Sequence, residues 1–285
     1  MEIIRETARA KVNFTLPVLA RRPDGYHEVD TVMHAISLAD AVELRPAEGL
    51  SLTIEGDAPA GPDNLMWRAA ALYMEETGVP GAAMHLEKRV PSEAGLGGGS
   101  ADAAAVLRGL DRLYGTRLGW EALCRMASRL GADVPFCIAG GCARGRGIGD
   151  ELSPLPPWEG LPLLVVKPDI AVSTGAAYGE IDRRGIAGRD TSDAMEAALR
   201  ARDPAALAAS LANTFEDALF PAAPELAAAA RELRAFGAPA LMSGSGSAFF
   251  LLIGGEKRDA AARTLQSRHP GWFCAPAETC GAEDL

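Results

Sequence analysis

Residues 91–107, PSEAGLGGGSADAAAVL, gather Gly95, Gly97, Gly98 and Gly99 around one leucine, add Ser100, and run into an alanine-rich stretch with helical spacing. Glycines at that density let the backbone come very close to a partner. The helix start beyond them offers unpaired N–H groups and a partial positive charge. That combination suits a phosphate. A plain Gly-rich turn is the alternative, although three consecutive glycines carry an entropic cost that turns rarely need. A dinucleotide fingerprint would need a glycine where Ser100 stands, and a P-loop would end in a lysine followed by Ser or Thr. A protein-kinase glycine loop would sit in a hairpin and be accompanied by H-R-D and D-F-G, both absent. Ser100 can cap the helix or bond the phosphate.

Two charged residues could complete a phosphoryl-transfer site. Asp133, in LGADVPF just before Pro135, can be an N-cap or a catalytic carboxylate at an element terminus. Lys11, in RAKVNF, sits among apolar residues, where a lysine ordinarily snorkels to the surface. Beside an aspartate and a phosphate, it would instead supply the fixed positive charge that such a reaction needs.

The elements that must position these residues read as follows. KVNFTLPVL and EVDTVMHAISL are strand-like and flank RRPDGYH, where Arg22-Pro23-Asp24-Gly25 has a type I turn signature. AVELRP and LSLTIEG continue the β pattern. NLMWRAAALYMEETG reads as a helix ended by Gly78, and AAMHLEKRVP as a strand leading into the glycine loop. Val106, Leu107, Leu110, Leu113 and Tyr114 continue at helical spacing, and WEALCRMASRLG is a second helix capped by Gly131. ELSPLPPWEGLP reads as a boundary or long connection. LPLLVVKP is a buried strand, alanine-rich helices follow, and PALMSGSGSAFFLLIGG encloses a Ser/Gly pivot between strand-like ends. Strands and helices alternate without a regular βαβ rhythm, which predicts an α+β fold in two lobes, 1–157 and 158–285.

Composition bounds the function. The 285 residues are 48% hydrophobic and 23% charged, ordinary for a soluble globular protein. A formal charge of −10 argues against non-specific nucleic-acid binding and leaves a phosphate site dependent on local donors. Five cysteines without a C-x-x-C pair fit reduced thiols. No signal peptide or bilayer-length apolar run is present, so a cytoplasmic protein acting on a small molecule is expected, with no membrane or nucleic-acid partner. His34, His85 and His269 have no partner pattern and read as packed or surface histidines.

With these segments assembled, the sequence resembles the superfamily of galactokinase, homoserine kinase, mevalonate kinase and phosphomevalonate kinase. The resemblance rests on PSEAGLGGGSA, on AKVNFTLPVLARRPDGYHEVDTVM, on LGADVPF and on MSGSGSAFF, and it runs over nearly the whole chain. Within the superfamily these segments are most similar to the branch that phosphorylates a cytidine-diphosphate-linked methylerythritol. The resemblance implies a two-lobed kinase fold with the active site between the lobes, and ATP with Mg²⁺ as phosphoryl donor. It also implies catalysis by Asp133 with Lys11 as its charge partner, and a phosphate loop of Pro91, Ser92, Glu93, Ala94, Gly95, Leu96, Gly97, Gly98, Gly99, Ser100 and Ala101. Asn64 and Lys88 fall where the family meets the adenosine side of ATP. Asn13, Tyr26 and His27 match the acceptor region, and Tyr178 falls where an aromatic stacks on the cytosine or else packs in the core.

The sequence departs from the family pattern at Arg9, at Phe14 and at Ala101, which stands for the second serine of G-S-S. The last change leaves Ser100 and Asp102 as the nearby candidates to touch ATP or its metal, and no dedicated metal cage is visible. A sister kinase for another alcohol is disfavoured by R-P-D-G-Y-H-E. A non-catalytic nucleotide binder is disfavoured by the presence of both Lys11 and Asp133.

Overall fold

The computed structural model describes residues 3–282. The chain opens with β1 (Ile4–Leu16), β2 (Val18–Arg21), β3 (His27–Val29), β4 (Thr31–Pro46) and β5 (Ser51–Glu55). There follow α1 (Leu65–Thr77), β6 (Ala82–Glu87), α2 (Gly98–Tyr114), α3 (Trp120–Ser128), α4 (Val134–Ala139), β7 (Cys142–Arg146) and β8 (Glu151–Leu155). Next come β9 (Pro162–Lys167), α5 (Thr174–Arg184), α6 (Ser192–Ala201), α7 (Pro204–Ser210), β10 (Ala212–Asn213) and α8 (Thr214–Leu219). The chain then forms α9 (Pro224–Arg234), β11 (Ala240–Met242), β12 (Phe249–Leu251), α10 (Gly255–Arg268) and β13 (Phe273–Glu278).

Burial along β1 shows how the lobes meet. Its first residues alternate between buried and exposed, but from Ala10 to Leu16 both faces are covered. One face of the first sheet packs under α1 to α4, where Ala101, Ala103, Ala104 and Ala105 are buried against Met33, Ala35, Val42 and Leu44. Small residues let α2 lie close to the strands: a Cβ on Gly109 would stand 2.4 Å from Leu44 Cδ1. On the other face Val12 and Phe14 share a core with Leu163, Val165 and Phe250 of the second lobe. β9 alternates in turn, since Leu164 and Val166 enter a third core with Phe249, Leu226 and Leu265.

The first sheet runs β10-β1-β4-β6-β5, with β7 paired to the start of β4 and β8 paired to β7. The second runs β11-β12-β9-β13, antiparallel throughout. This is the expected α+β, two-lobed architecture. AVELRP is the far end of the 16-residue β4 rather than a strand of its own. ELSPLPPWEGLP is not all connection, because Glu151–Leu155 pair with β7. Pro154 is tolerated there because β8 pairs with no other strand. α3 stops at Ser128, three residues before Gly131. The lobes also exchange pieces. β10 adds to β1 in the first sheet, and bridges join Ile36 to Thr279 and Gly140 to Ala282. Among the described residues no helix is long and apolar enough to cross a membrane.

Candidate active site

The glycine loop forms the N-terminal entry to α2, and the helix begins inside the glycine run. Gly97, at φ +68°, is the N-cap, Gly98 is the first helical residue, and no side chain caps the end. Ser100 therefore stands in the first turn instead of capping it, because the left-handed Gly97 starts the helix two residues before the first residue with a hydroxyl. The N–H groups of this turn have no intrahelical partner. The loop's carbonyls are spent on the protein: Ala94 accepts from Ala248 N–H, Gly95 from Ser243 Oγ at 2.9 Å, and Leu96 from Lys11 N–H at 2.9 Å. Contact enforces the glycines as well. A Cβ on Gly95 would lie 2.1 Å from Ser243 O, and one on Gly97 would lie 3.1 Å from Lys11 Cγ.

Lys11 lies beside this loop on β1, where the ladder with β4 shifts register between Arg9 and Lys11. Its ammonium is buried, donates to Asn13 Oδ1 at 2.7 Å and pairs with Asp133 Oδ2 at 3.3 Å. Asp133 occupies the N-cap position of α4 but makes no capping hydrogen bond, so its carboxylate is free to face Lys11. Asn13 ties the pair to the second lobe: its Oδ1 also accepts from Gly244 N–H at 3.0 Å, and its Nδ2 donates to Thr31 Oγ1 at 2.8 Å.

These groups share a cavity of about 1020 Å³. Glu93, Gly95, Ser100, Lys11 and Asp133 line one part of it, and Asn13, Tyr26, His27, Tyr178 and Gly244 line the rest. Tyr26 is exposed, whereas Tyr178 is half-buried on α5. The imidazole of His27 stacks on Tyr178 with centroids 4.7 Å apart, and Tyr178 meets Phe215 edge-on at 4.9 Å. Burial, helped by the negative charge of Asp133, pushes the Tyr178 phenol up to about 12, so it remains a neutral phenol. The arrangement places an anion cradle, a lysine–aspartate pair and an aromatic pocket around one space.

Comparison with known proteins separates the kinases that could be built this way. Residues 64–141 match the model of the GHMP kinases N terminal domain and residues 195–271 that of the GHMP kinases C terminal. A 4-diphosphocytidyl-2-C-methyl-D-erythritol kinase of Symbiobacterium thermophilum is 45% identical over 267 residues, covering 92% of this chain and 94% of that one. The chain belongs to the 4-diphosphocytidyl-2-C-methyl-D-erythritol kinase family. A crystal structure of a 4-(cytidine 5'-diphospho)-2C-methyl-D-erythritol kinase superposes with a TM-score of 0.82 at 38% identity, over 98% of this chain and all of that one. Homoserine kinase from Cytophaga hutchinsonii, with a TM-score of 0.75 at 19% identity over 100% of this chain and 96% of that one, shares the fold.

Three residues expected at the ATP of such a kinase do not line this cavity. Asn64 is the N-cap of α1: its Oδ1 accepts from Met66 N–H at 2.8 Å and its Nδ2 donates to Pro59 O. Lys88 is buried beneath the first turn of α2, held between Asp40 and Asp102, its Nζ 3.0 Å from where a Cβ of Gly98 would be. Asp102 does not line the cavity either. Its Oδ2 accepts from Lys88 at 3.0 Å while its buried Oδ1 has no partner, and burial pushes this carboxyl up to about 8. Long-range pairing with β4 places Lys88 and Asp102, because Asp40 also accepts from Val90 N–H at 2.8 Å, whereas Asn64 is set locally by the helix it caps. Thr31 and Asp182 are among the cavity-lining residues that the sequence did not single out. Thr31 had no signal. Asp182 lies four residues after Tyr178, a spacing that puts both on one face of α5.

Proposed function

We infer that this chain transfers the γ-phosphoryl group of ATP to the C2 hydroxyl of 4-diphosphocytidyl-2-C-methyl-D-erythritol, a step of non-mevalonate isoprenoid precursor biosynthesis. The observation that carries this reading is the Lys11–Asp133 pair, set between the glycine cradle and the His27–Tyr178 stack within one cavity.

In this reading the residues divide the work as follows. The phosphates of ATP lie against the loop from Pro91 to Ala101, where N–H groups of the first turn of α2 meet their charge. The acceptor's cytosine end lies among Tyr26, His27 and Tyr178, which brings its hydroxyl toward Asp133. The hydroxyl oxygen forms a bond to the γ-phosphorus as the bond from that phosphorus to the β-bridging oxygen breaks, and ADP leaves with the electron pair. Asp133 orients the hydroxyl and takes its proton, and its partial exposure lets the proton pass on to water. Lys11, buried and fixed by Asn13, pairs with Asp133 and faces the charge that builds on the transferring group.

Mg²⁺ would enter with ATP. Among the described residues no three His, Cys, Asp or Glu side chains cluster as a metal cage. That suits an ion held mainly by phosphates and waters. Ser100 and Glu93 are the oxygen-bearing side chains of the loop that line the cavity and would meet it. When bound, Mg²⁺ neutralises charge on the β- and γ-phosphates. We place the reaction in the cytoplasm, which suits a sequence whose five cysteines include no C-x-x-C pair.

An acceptor panel tests the reading. ADP release with the cytidine-diphosphate acceptor, and none with homoserine or mevalonate, supports it. Turnover of homoserine or mevalonate in its place refutes it.

A further inference from the structure

Asp182 is used nowhere in the mechanism above, yet it holds one of the residues assigned to the acceptor. Its Oδ1 lies 2.7 Å from His27 Nε2, and its Oδ2 lies 3.4 Å from Arg21. An ionised carboxylate only accepts hydrogen bonds, so the proton between the two residues belongs to Nε2. The His27 hydrogen bond, with Arg21 adding to it, holds the Asp182 carboxyl below its usual range. The ring cannot swivel freely, since Tyr178 covers one face and Asp182 grips one edge. Both come from a single face of α5, four residues apart. His27 Nδ1 is left without a protein partner among the described residues, on a side chain that lines the cavity.

We propose that Asp182 is a positioning residue for base recognition: it fixes His27 as the Nε2–H tautomer, so that Nδ1 faces the acceptor as a hydrogen-bond acceptor for the exocyclic amine of the base. The proposal rests on the function inferred above. A ring nitrogen that only accepts favours an amino-pyrimidine. A pyrimidine with a carbonyl at that place would set two acceptors against each other, an arrangement that costs binding. Fixing a histidine tautomer through a carboxylate is a general device for setting which nitrogen does the work.

The test uses ¹⁵N-histidine NMR and steady-state kinetics on the wild type and on Asp182→Ala. In the wild type, His27 shows a protonated Nε2 and a bare Nδ1. In Asp182→Ala the tautomers mix, and the acceptor KM rises about tenfold while kcat and the ATP KM stay within about twofold, as for loss of one hydrogen bond's positioning. The preference for the cytidine acceptor over its uridine counterpart falls in the same variant. A wild-type His27 with the proton on Nδ1, or on both nitrogens, overturns the proposal. So does a raised KM with an unchanged tautomer, which would mean that Asp182 touches the acceptor itself. Normal wild-type turnover with an unaffected variant overturns the proposal alone. Failure of the wild type to use the cytidine acceptor overturns the functional reading and the proposal with it.

Discussion

The Lys11 ammonium lies 3.3 Å from the Asp133 carboxylate, with the lysine side chain 4% exposed and the aspartate 38%. That asymmetry fits the division of labour. A buried cation is a fixed charge, and a carboxylate reaching solvent can receive a proton and release it. Asp133→Asn is expected to bind ATP nearly normally by calorimetry while turnover falls ~10²–10⁴-fold, the range for loss of a general acid–base group. Lys11→Met should cost a similar factor. The double variant should be little worse than either, because residues acting as one unit are not additive.

Gly97 ties the loop to that pair. At φ +68°, with its would-be Cβ 3.1 Å from Lys11 Cγ, it leaves no room for a methyl group unless Lys11 moves. Gly97→Ala is expected to lower kcat by about 10², the scale of a misplaced catalytic group. Its circular dichroism should stay native. Pre-steady-state rates with saturating ATP check this, and an unchanged chemical step would show that Lys11 tolerates the shift.

Tyr178 is assigned to the acceptor and not to ATP. Tyr178→Ala removes the face on which His27 stacks and should raise the acceptor KM about tenfold or more, with the ATP KM little changed, given ~1–3 kcal/mol for an aromatic–base stack. Equal effects on both constants would return Tyr178 to a packing role.

His34 predicts a pH effect on stability. It is fully buried, its Nε2 accepts from Trp158 N–H and its Nδ1 donates to Ala35 O. Burial lowers it from 6.5 to about 4. Below pH 6.5 the unfolded chain takes up a proton that the folded chain refuses, so this stability is present above that pH and is lost progressively down to about pH 4. The loss is on the order of 3 kcal/mol. Urea midpoints from pH 7 to pH 4 check it. His34→Gln, which keeps an acceptor for Trp158, should be less stable at pH 7 and show a shallower slope.

Much of this was legible in the residues. A glycine run before an alanine-rich amphipathic stretch announces a loop feeding a helix. Gly78 and the Arg22–Gly25 turn punctuate their elements as local chemistry requires, and Gly25 N–H bonds Arg22 O at 3.1 Å. What local chemistry cannot carry is long-range choice. Nothing in the sequence shows which carboxylates Lys88 pairs with; pairing of β4 with β6 brings Asp40 beneath the loop, so that the ammonium is held between Asp40 and Asp102. Asn64 also caps the helix it starts, its Oδ1 accepting from Met66 N–H. Pro154 reads as a breaker, yet an edge strand does not need its missing N–H. Asp182 was within reach of the helical period from Tyr178, but the partner that gives it meaning, His27, is 155 residues away.

The most direct test of the central claim is a ³¹P NMR time course of the purified protein with Mg²⁺, ATP and 4-diphosphocytidyl-2-C-methyl-D-erythritol, alongside Asp133→Asn. The account predicts a new phosphomonoester resonance growing in step with ADP in the wild type and absent in the variant. Unchanged ATP and acceptor in the wild type, or the same resonance forming at the same rate in Asp133→Asn, would contradict it.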